Sequence, residues 1–285
     1  MGDKVMQKTI YRATLRDSVA FSGKALHSGV DVSITINPLH DGTGIFFRRT
    51  DIADKDNMIK ANFKNVSDLT FNTSIKNEAG VEVATTEHLM AALWYYGITD
   101  CIIDINNREL PTLDGASKAF LFGLKTCEKV FFTKIMPIIT ISDSFTVEHK
   151  DTYIKAEPYN GLCIDFTIDF ACKEVGVQRY IFDQAKGDCF ESDIAHAKTF
   201  ALKKDYDYLK TIGYAQGGDE NNGILMTEEE VVNKSAMTFK DDFVRHKILD
   251  FIGDIYTSGH LFNAKFTCYK SGHALTNQLL KKIFV

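Results

Sequence analysis

The two halves of this chain run through the same order of elements, and that repetition limits the folds open to it more than any other feature. In the first half, residues 30–36 alternate apolar and polar, as a half-buried strand does, after a turn at His27, Ser28 and Gly29. Residues 44–49 form a second candidate strand, and residues 50–65 are polar and irregular, as an insertion would be. Thr85 and Thr86 then offer a helix N-cap. The helix carries Glu87, His88 and an apolar run, and Gly97 stops it. A strand at 101–105, a turn-rich stretch at 110–115 and a short helix from Ser117 follow. The second half has an alternating strand at 162–170, a helix from Asp242 to Tyr256, a strand at 264–268, a turn at Ser271 and Gly272, and a last helix to Ile283. The expected fold is α+β, with two similar domains related by internal duplication and meeting near 129–134. The first covers 1–133 with an insertion near 46–75, and the second covers 134–285 with a β-α-β insertion near 200–225. Two unrelated α+β units would show the same order. If the duplication holds, the halves pack about a pseudo-twofold axis and His88 meets His246 at the interface.

Bulk properties exclude several classes. At 285 residues with 45% hydrophobic and 25% charged residues, the chain has the material for a sizeable core and is not disordered. A net charge of −5 argues against a nucleic-acid partner. Residues 1–8 carry no long apolar segment, against a signal peptide. The most apolar run, 130–141, is interrupted by Lys134 and Pro137 and falls short of the ~20 residues of a membrane span, so no transmembrane segment is expected. The six cysteines, at 101, 127, 163, 172, 189 and 268, form no CxxC pair. They read as reduced core residues of a cytoplasmic protein. Walker A, post-strand GxGxxG and GxSxG motifs are all missing.

The helix from Asp242 carries the chemistry. Phe243, Ile248, Phe251, Ile252 and Ile255 recur near a 3.6 period, and Asp242, His246, Asp250 and Asp254 form a polar stripe at spacings of four. His246 and Asp250 offer two metal ligands from one rigid helix. The duplication supplies His88 as a third, and a catalytic zinc uses three protein ligands and one open position. Zinc lowers the pKa of its bound water to ~7, and Glu87, next to His88, is placed to take that water's proton. HxxxD on an amphipathic helix is commonly only a surface i,i+4 pair, but a solvated stripe would not interrupt so apolar a helix. Asp254 could orient a histidine such as His273, which could equally be a helix N-terminal residue with no role. Thr199 is a candidate hydroxyl donor. His40, His149 and His260 sit in polar turns, and His27 could be structural.

Several stretches resemble one family. Residues 85–93 (TTEHLMAAL), 113–117 (LDGAS), 243–254 (FVRHKILDFIGD) and 270–275 (KSGHAL) are similar to UDP-3-O-acyl-N-acetylglucosamine deacetylase, the zinc enzyme of the committed step of lipid A synthesis. Residues 25–29 and 167–170 also fit, and the likeness runs in order from about Thr9 to the C-terminus. It implies two layered sheet-and-helix sandwiches with the active site between them. It implies one zinc ion held by His88, His246 and Asp250, with Fe2+ as a possible substitute. Glu87 would be general base, His273 general acid oriented by Asp254, and Thr199 an oxyanion donor. Lys247 and Lys270 would meet the diphosphate or sugar, and Asp169 with Phe170 the nucleoside side. The insertion from Phe200 to Tyr214, with Leu69 and Phe71, would form the acyl-chain passage. The expected partner is a lipid-bearing UDP-sugar, and the chain is expected to act as a monomer. Departures from the family pattern occur at His196 and Lys198, at 219–222 and at Thr152.

Two other readings stay open. Two histidines and a carboxylate also suit a non-haem Fe(II) enzyme, although oxygenases need no adjacent base such as Glu87. A metal-stabilised protein that binds nucleotide sugars without turnover would show the same ligands.

Overall fold

The strand Cys101–Ile105 pairs antiparallel with Asp31–Pro38 on one side and parallel with Ile45–Arg49 on the other. Val19–Lys24 and Met58–Lys60 add antiparallel edges and complete a five-stranded sheet. The second half builds the same pattern. Leu261–Tyr269 lies between antiparallel Thr152–Glu157 and parallel Leu162–Asp169, with Phe145–His149 and Val177–Asp183 outside. Ile138–Thr140 adds a sixth strand beside Leu261–Tyr269. Strand order and direction match position by position, as an internal duplication requires. These features come from a computed structural model that describes residues 9–40 and 42–284. Residues 1–8, read above against a signal peptide, lie outside the described residues.

Among the described residues six α-helices complete the frame: α1 (Glu87–Tyr96), α2 (Lys118–Lys125), α3 (Phe190–Asp193), α4 (Lys203–Thr211), α5 (Asp242–Tyr256) and α6 (His273–Ile283). α2 lies on Val19–Lys24, α5 on Leu162–Asp169 and Val177–Asp183, and α6 on Phe145–His149 and Thr152–Glu157. α1 and α5 pack on each other and join the halves. Residues 87–94 of α1 are all buried, and only Arg245 and Lys247 of α5 are not fully so. Helices so enclosed belong inside a protein, and their polar side chains are therefore exceptional. Phe251 of α5 meets Phe266 edge to face with ring centres 5.2 Å apart. Each such buried ring stabilises the fold by about 1.5–3 kcal/mol.

Several elements differ from expectation. Residues 50–65 include the edge strand Met58–Lys60, whose Ile59 is fully buried. Three residues are too few to show alternation, so the strand is invisible in a polar run. A small sheet of Val66–Asp68, Ser74–Lys76 and Glu82–Val83 follows it. The strand at 264–268 extends to Leu261–Tyr269, with alternating burial throughout. The run at 130–141 divides around Pro137. Lys129–Ile135 pairs with Tyr11–Leu15, and Ile138–Thr140 joins the second sheet. Phe200–Leu202, α4 and Ile224–Met226 form the β-α-β unit, with the strands parallel. No helix among the described residues is long and apolar enough to cross a membrane.

Candidate metal and catalytic site

α5 brings His246, Asp250 and Asp254 to its face against α1, and α1 presents His88 from its first turn. His246 Nε2 lies 3.4 Å from Asp250 Oδ1, and His88 Nε2 lies 3.6 Å from the same oxygen. The two imidazoles stand edge to face, 5.0 Å between centres. The three ligand atoms lie within 4.8 Å of one another and all three residues are buried. Donors about 2 Å from a shared ion have this spacing.

Backbone geometry makes the approach possible. A Cβ on Gly253 would stand 2.0 Å from the Glu87 carbonyl oxygen, so glycine lets α5 pass against the first turn of α1. Thr85, just before α1, takes φ 60°, an uncommon conformation for a β-branched residue. Thr86 is the cap position, but its hydroxyl donates to the Thr73 carbonyl (3.0 Å) rather than capping the helix.

Electrostatics separate the roles of the histidines. His246 Nδ1 is 3.0 Å from the Ala197 carbonyl oxygen, which places the proton on Nδ1 and leaves Nε2 as a lone-pair donor. Burial pushes His246 down to about 3, so it is neutral, the form that binds metals. For His88, burial also opposes the charge, but the Asp250 and Glu87 carboxylates outweigh it and raise the pKa. Asp250 is held well below the usual carboxylate range. Burial works against this, but the Lys247 ammonium and the hydrogen bond with His88 prevail. Lys247 donates to Asp250 Oδ2 at 2.6 Å and lies in the centre itself.

The other polar groups stand around this cluster. Burial raises the Glu87 pKa, against the pull of His273 and His88. His273 Nδ1 lies 2.7 Å from Asp254 Oδ2. Burial disfavours the imidazolium, yet Asp254 outweighs it and lifts His273 to about 9. The structure therefore brings His88, His246, Asp250, Glu87, Asp254 and His273 together. Asp242, the remaining member of the stripe, accepts the Thr238 and Phe239 amides at 2.6 and 3.1 Å and takes no part.

The expected substrate residues fall into two groups. Leu162–Asp169 and Leu261–Tyr269 are parallel neighbours, so Asp169, Phe170 and Lys270 emerge at one end of the sheet. Lys270 Nζ lies 2.7 Å from Asp151 and 3.7 Å from Asp169. Phe170 packs on Phe200, whose ring is 5.9 Å from that of His246. Thr199, Phe200 and Phe71 line an apolar cavity of about 140 Å³ together with Tyr206, Leu209 and Leu225. The Thr199 amide donates to the Gly115 carbonyl at 2.8 Å, which ties this insertion to the first half. Leu69 is placed elsewhere: it lines a small space beside Thr73, Asp254 and His273. The Thr70 amide bonds to Asp68 Oδ1 and turns the chain there, so Leu69 and Phe71 face different spaces.

Residues not anticipated from the sequence include Thr73, which touches Glu87, Asp254 and His273. His27 also lines the cavity; its ring packs 6.0 Å from Phe71 and 5.8 Å from Tyr214. Its signal was a histidine in a Ser-Gly turn. Thr73 sits in a polar loop without periodicity and gave none.

The family model for UDP-3-O-acyl N-acetylglycosamine deacetylase matches residues 12–285. The UDP-3-O-acyl-N-acetylglucosamine deacetylase of Pasteurella multocida (strain Pm70) is 37% identical over 276 residues, 96% of this chain and 90% of the relative. That of Histophilus somni (strain 129Pt) is 36% identical over 276 residues, again 96% and 90%. With matching sequence along nearly its whole length, the chain belongs to the UDP-3-O-acyl-N-acetylglucosamine deacetylase family.

Proposed function

We propose that this chain is a zinc-dependent amidohydrolase. It converts UDP-3-O-acyl-N-acetylglucosamine to the free amine and acetate, the committed step of lipid A biosynthesis. The observation that carries the reading is one buried cluster holding His88, His246 and Asp250 beside a buried Glu87 and a His273 whose Nδ1 lies 2.7 Å from Asp254 Oδ2. Two imidazoles and a carboxylate, all buried and convergent, fit one zinc ion per chain, and Fe2+ suits the same donors. When bound, the metal supplies polarisation of the acetamide carbonyl and a lowered pKa for a water molecule.

The chain's own residues do the rest. Glu87 accepts the proton of the attacking water as its oxygen bonds to the acetyl carbon. The Thr199 hydroxyl donates to the oxyanion that develops there. His273, oriented by Asp254, gives its proton to the sugar nitrogen as the carbon–nitrogen bond breaks. Lys247 meets the sugar, Lys270 the diphosphate, and Asp169 with Phe170 the nucleoside side. The acyl chain enters the cavity lined by Phe200 and Phe71. Because both halves of the centre come from one chain, a monomer suffices. Six free cysteines suit the reducing cytoplasm, where this reading places the enzyme.

The test is acetate release without oxygen or any co-substrate. Stoichiometric acetate from the metal-loaded protein is expected. Binding without acetate would instead favour a nucleotide-sugar binding protein, and a requirement for oxygen would favour an Fe(II) oxygenase.

A further inference from the structure

Thr73 precedes the strand Ser74–Lys76 of the small sheet and is 2% exposed. Its amide donates to Glu87 Oε2 at 3.0 Å. Its hydroxyl donates to Asp254 Oδ1 at 2.6 Å, and the Thr73 hydroxyl oxygen lies 3.2 Å from His273 Nδ1. Its carbonyl accepts the Thr86 amide and hydroxyl at the head of α1. One residue of the first half thus touches the proposed base beside it, and the proposed acid and its carboxylate partner 200 and 181 positions away.

The geometry follows from the donors available. His273 Nδ1 takes Asp254 Oδ2, and the Thr73 hydroxyl takes Oδ1. A carboxylate held at both oxygens does not rotate, so His273 Nδ1 stays the donor and Nε2 is left for the substrate. The Thr73 amide likewise holds one Glu87 oxygen and leaves the other free.

We infer that Thr73 is a positioning residue that aligns the base and the acid across the interface of the two halves, its hydroxyl acting through Asp254 on His273. The assignment of base and acid rests on the deacetylase reading; the contacts of Thr73 do not. The amide contact survives any side-chain exchange, so the hydroxyl is what a variant can test.

Thr73→Val keeps the shape of the side chain and removes its hydroxyl. It is expected to lower kcat about tenfold to a hundredfold, as loss of a group that orients a site residue does. KM and zinc content stay unchanged, and Thr73→Ser restores most of kcat. In the wild-type protein, proton NMR should show a strongly downfield His273 Nδ1 proton with an NOE to the Thr73 side chain, and Thr73→Val should shift it. Wild-type kcat in Thr73→Val, or a Thr73→Ser variant no better than Thr73→Val, overturns the inference. If Thr73→Val does not fold, near-wild-type turnover by Thr73→Ser together with the wild-type NOE supports it, and a missing NOE overturns it. A wild-type chain that shows the NOE but releases no acetate sinks the deacetylase reading alone.

Discussion

The carbonyl oxygen of Glu87 occupies the space where a side chain on Gly253 would begin, 2.0 Å from an ideal Cβ position. This contact sets how closely α1 and α5 approach, and so how His88 meets His246 and Asp250. In an ordinary helix interior, exchanging glycine for alanine stabilises by about 1 kcal/mol. Here Gly253→Ala must push the helices apart, and the expected effect has the opposite sign: a loss of about 1–3 kcal/mol, with weaker metal retention. Denaturant unfolding checks the sign. A more stable variant would show that the approach is not tight.

The pH dependence of turnover follows from two shifted groups. His273 titrates at about 9 against an ordinary 6.5, so it is a charged acid at neutral pH and its activity falls as pH rises through about 9. The stability it draws from Asp254 is complete below 6.5 and is lost across the same upper range. Glu87 is raised above its ordinary 4.5, so the base is lost from above that value as pH falls. A kcat/KM profile should be bell-shaped. Asp254→Asn should move its basic limb towards lower pH, and an unmoved limb would dissociate His273 from it.

Glu87 stands beside His88, His246 and Asp250 without joining their convergent donor set. Glu87→Gln is therefore expected to lower kcat about a hundredfold to ten-thousandfold, the usual worth of a general base, with zinc still bound. Metal analysis alongside kinetics separates this from ligand loss, and full activity in the variant would remove Glu87 from the role of base.

His246→Ala removes a donor from a buried set of three. Zinc per chain, measured after dialysis, is expected to fall from about one towards zero, as a catalytic site with three protein ligands requires. Retention of a full equivalent would place the metal elsewhere.

Leu225 lines the apolar cavity beside Thr199 and Phe200. Leu225→Trp should raise KM for long-acyl substrates about tenfold or more, the range that one or two displaced methylenes account for. Short-acyl substrates should be affected least. Equal effects on all chain lengths would argue that the acyl group binds elsewhere.

Much of the frame was legible because it has a period. The stripe on α5 reads directly as helical spacing, and the repeated element order foretold two similar α+β halves. The meeting of His88, His246 and Asp250 was legible for the same reason: they sit on corresponding helices of the two halves. What escaped has no period. Thr73 lies in a loop whose importance comes from contacts nearly 200 positions away. Gly253 looks like a weak point in a helix until its neighbour is seen. Leu69 and Phe71 are two residues apart, and only the turn between them shows that they face different spaces.

The most direct measurement is mass spectrometry of the products formed from UDP-3-O-acyl-N-acetylglucosamine in ¹⁸O-labelled water by the zinc-loaded chain. Hydrolysis at the paired helices predicts acetate carrying one ¹⁸O atom per turnover and a sugar product lighter by one acetyl group, with both formed about a hundredfold to ten-thousandfold more slowly by Glu87→Gln. Acetate without label, or an intact acetamide after prolonged incubation, would contradict it.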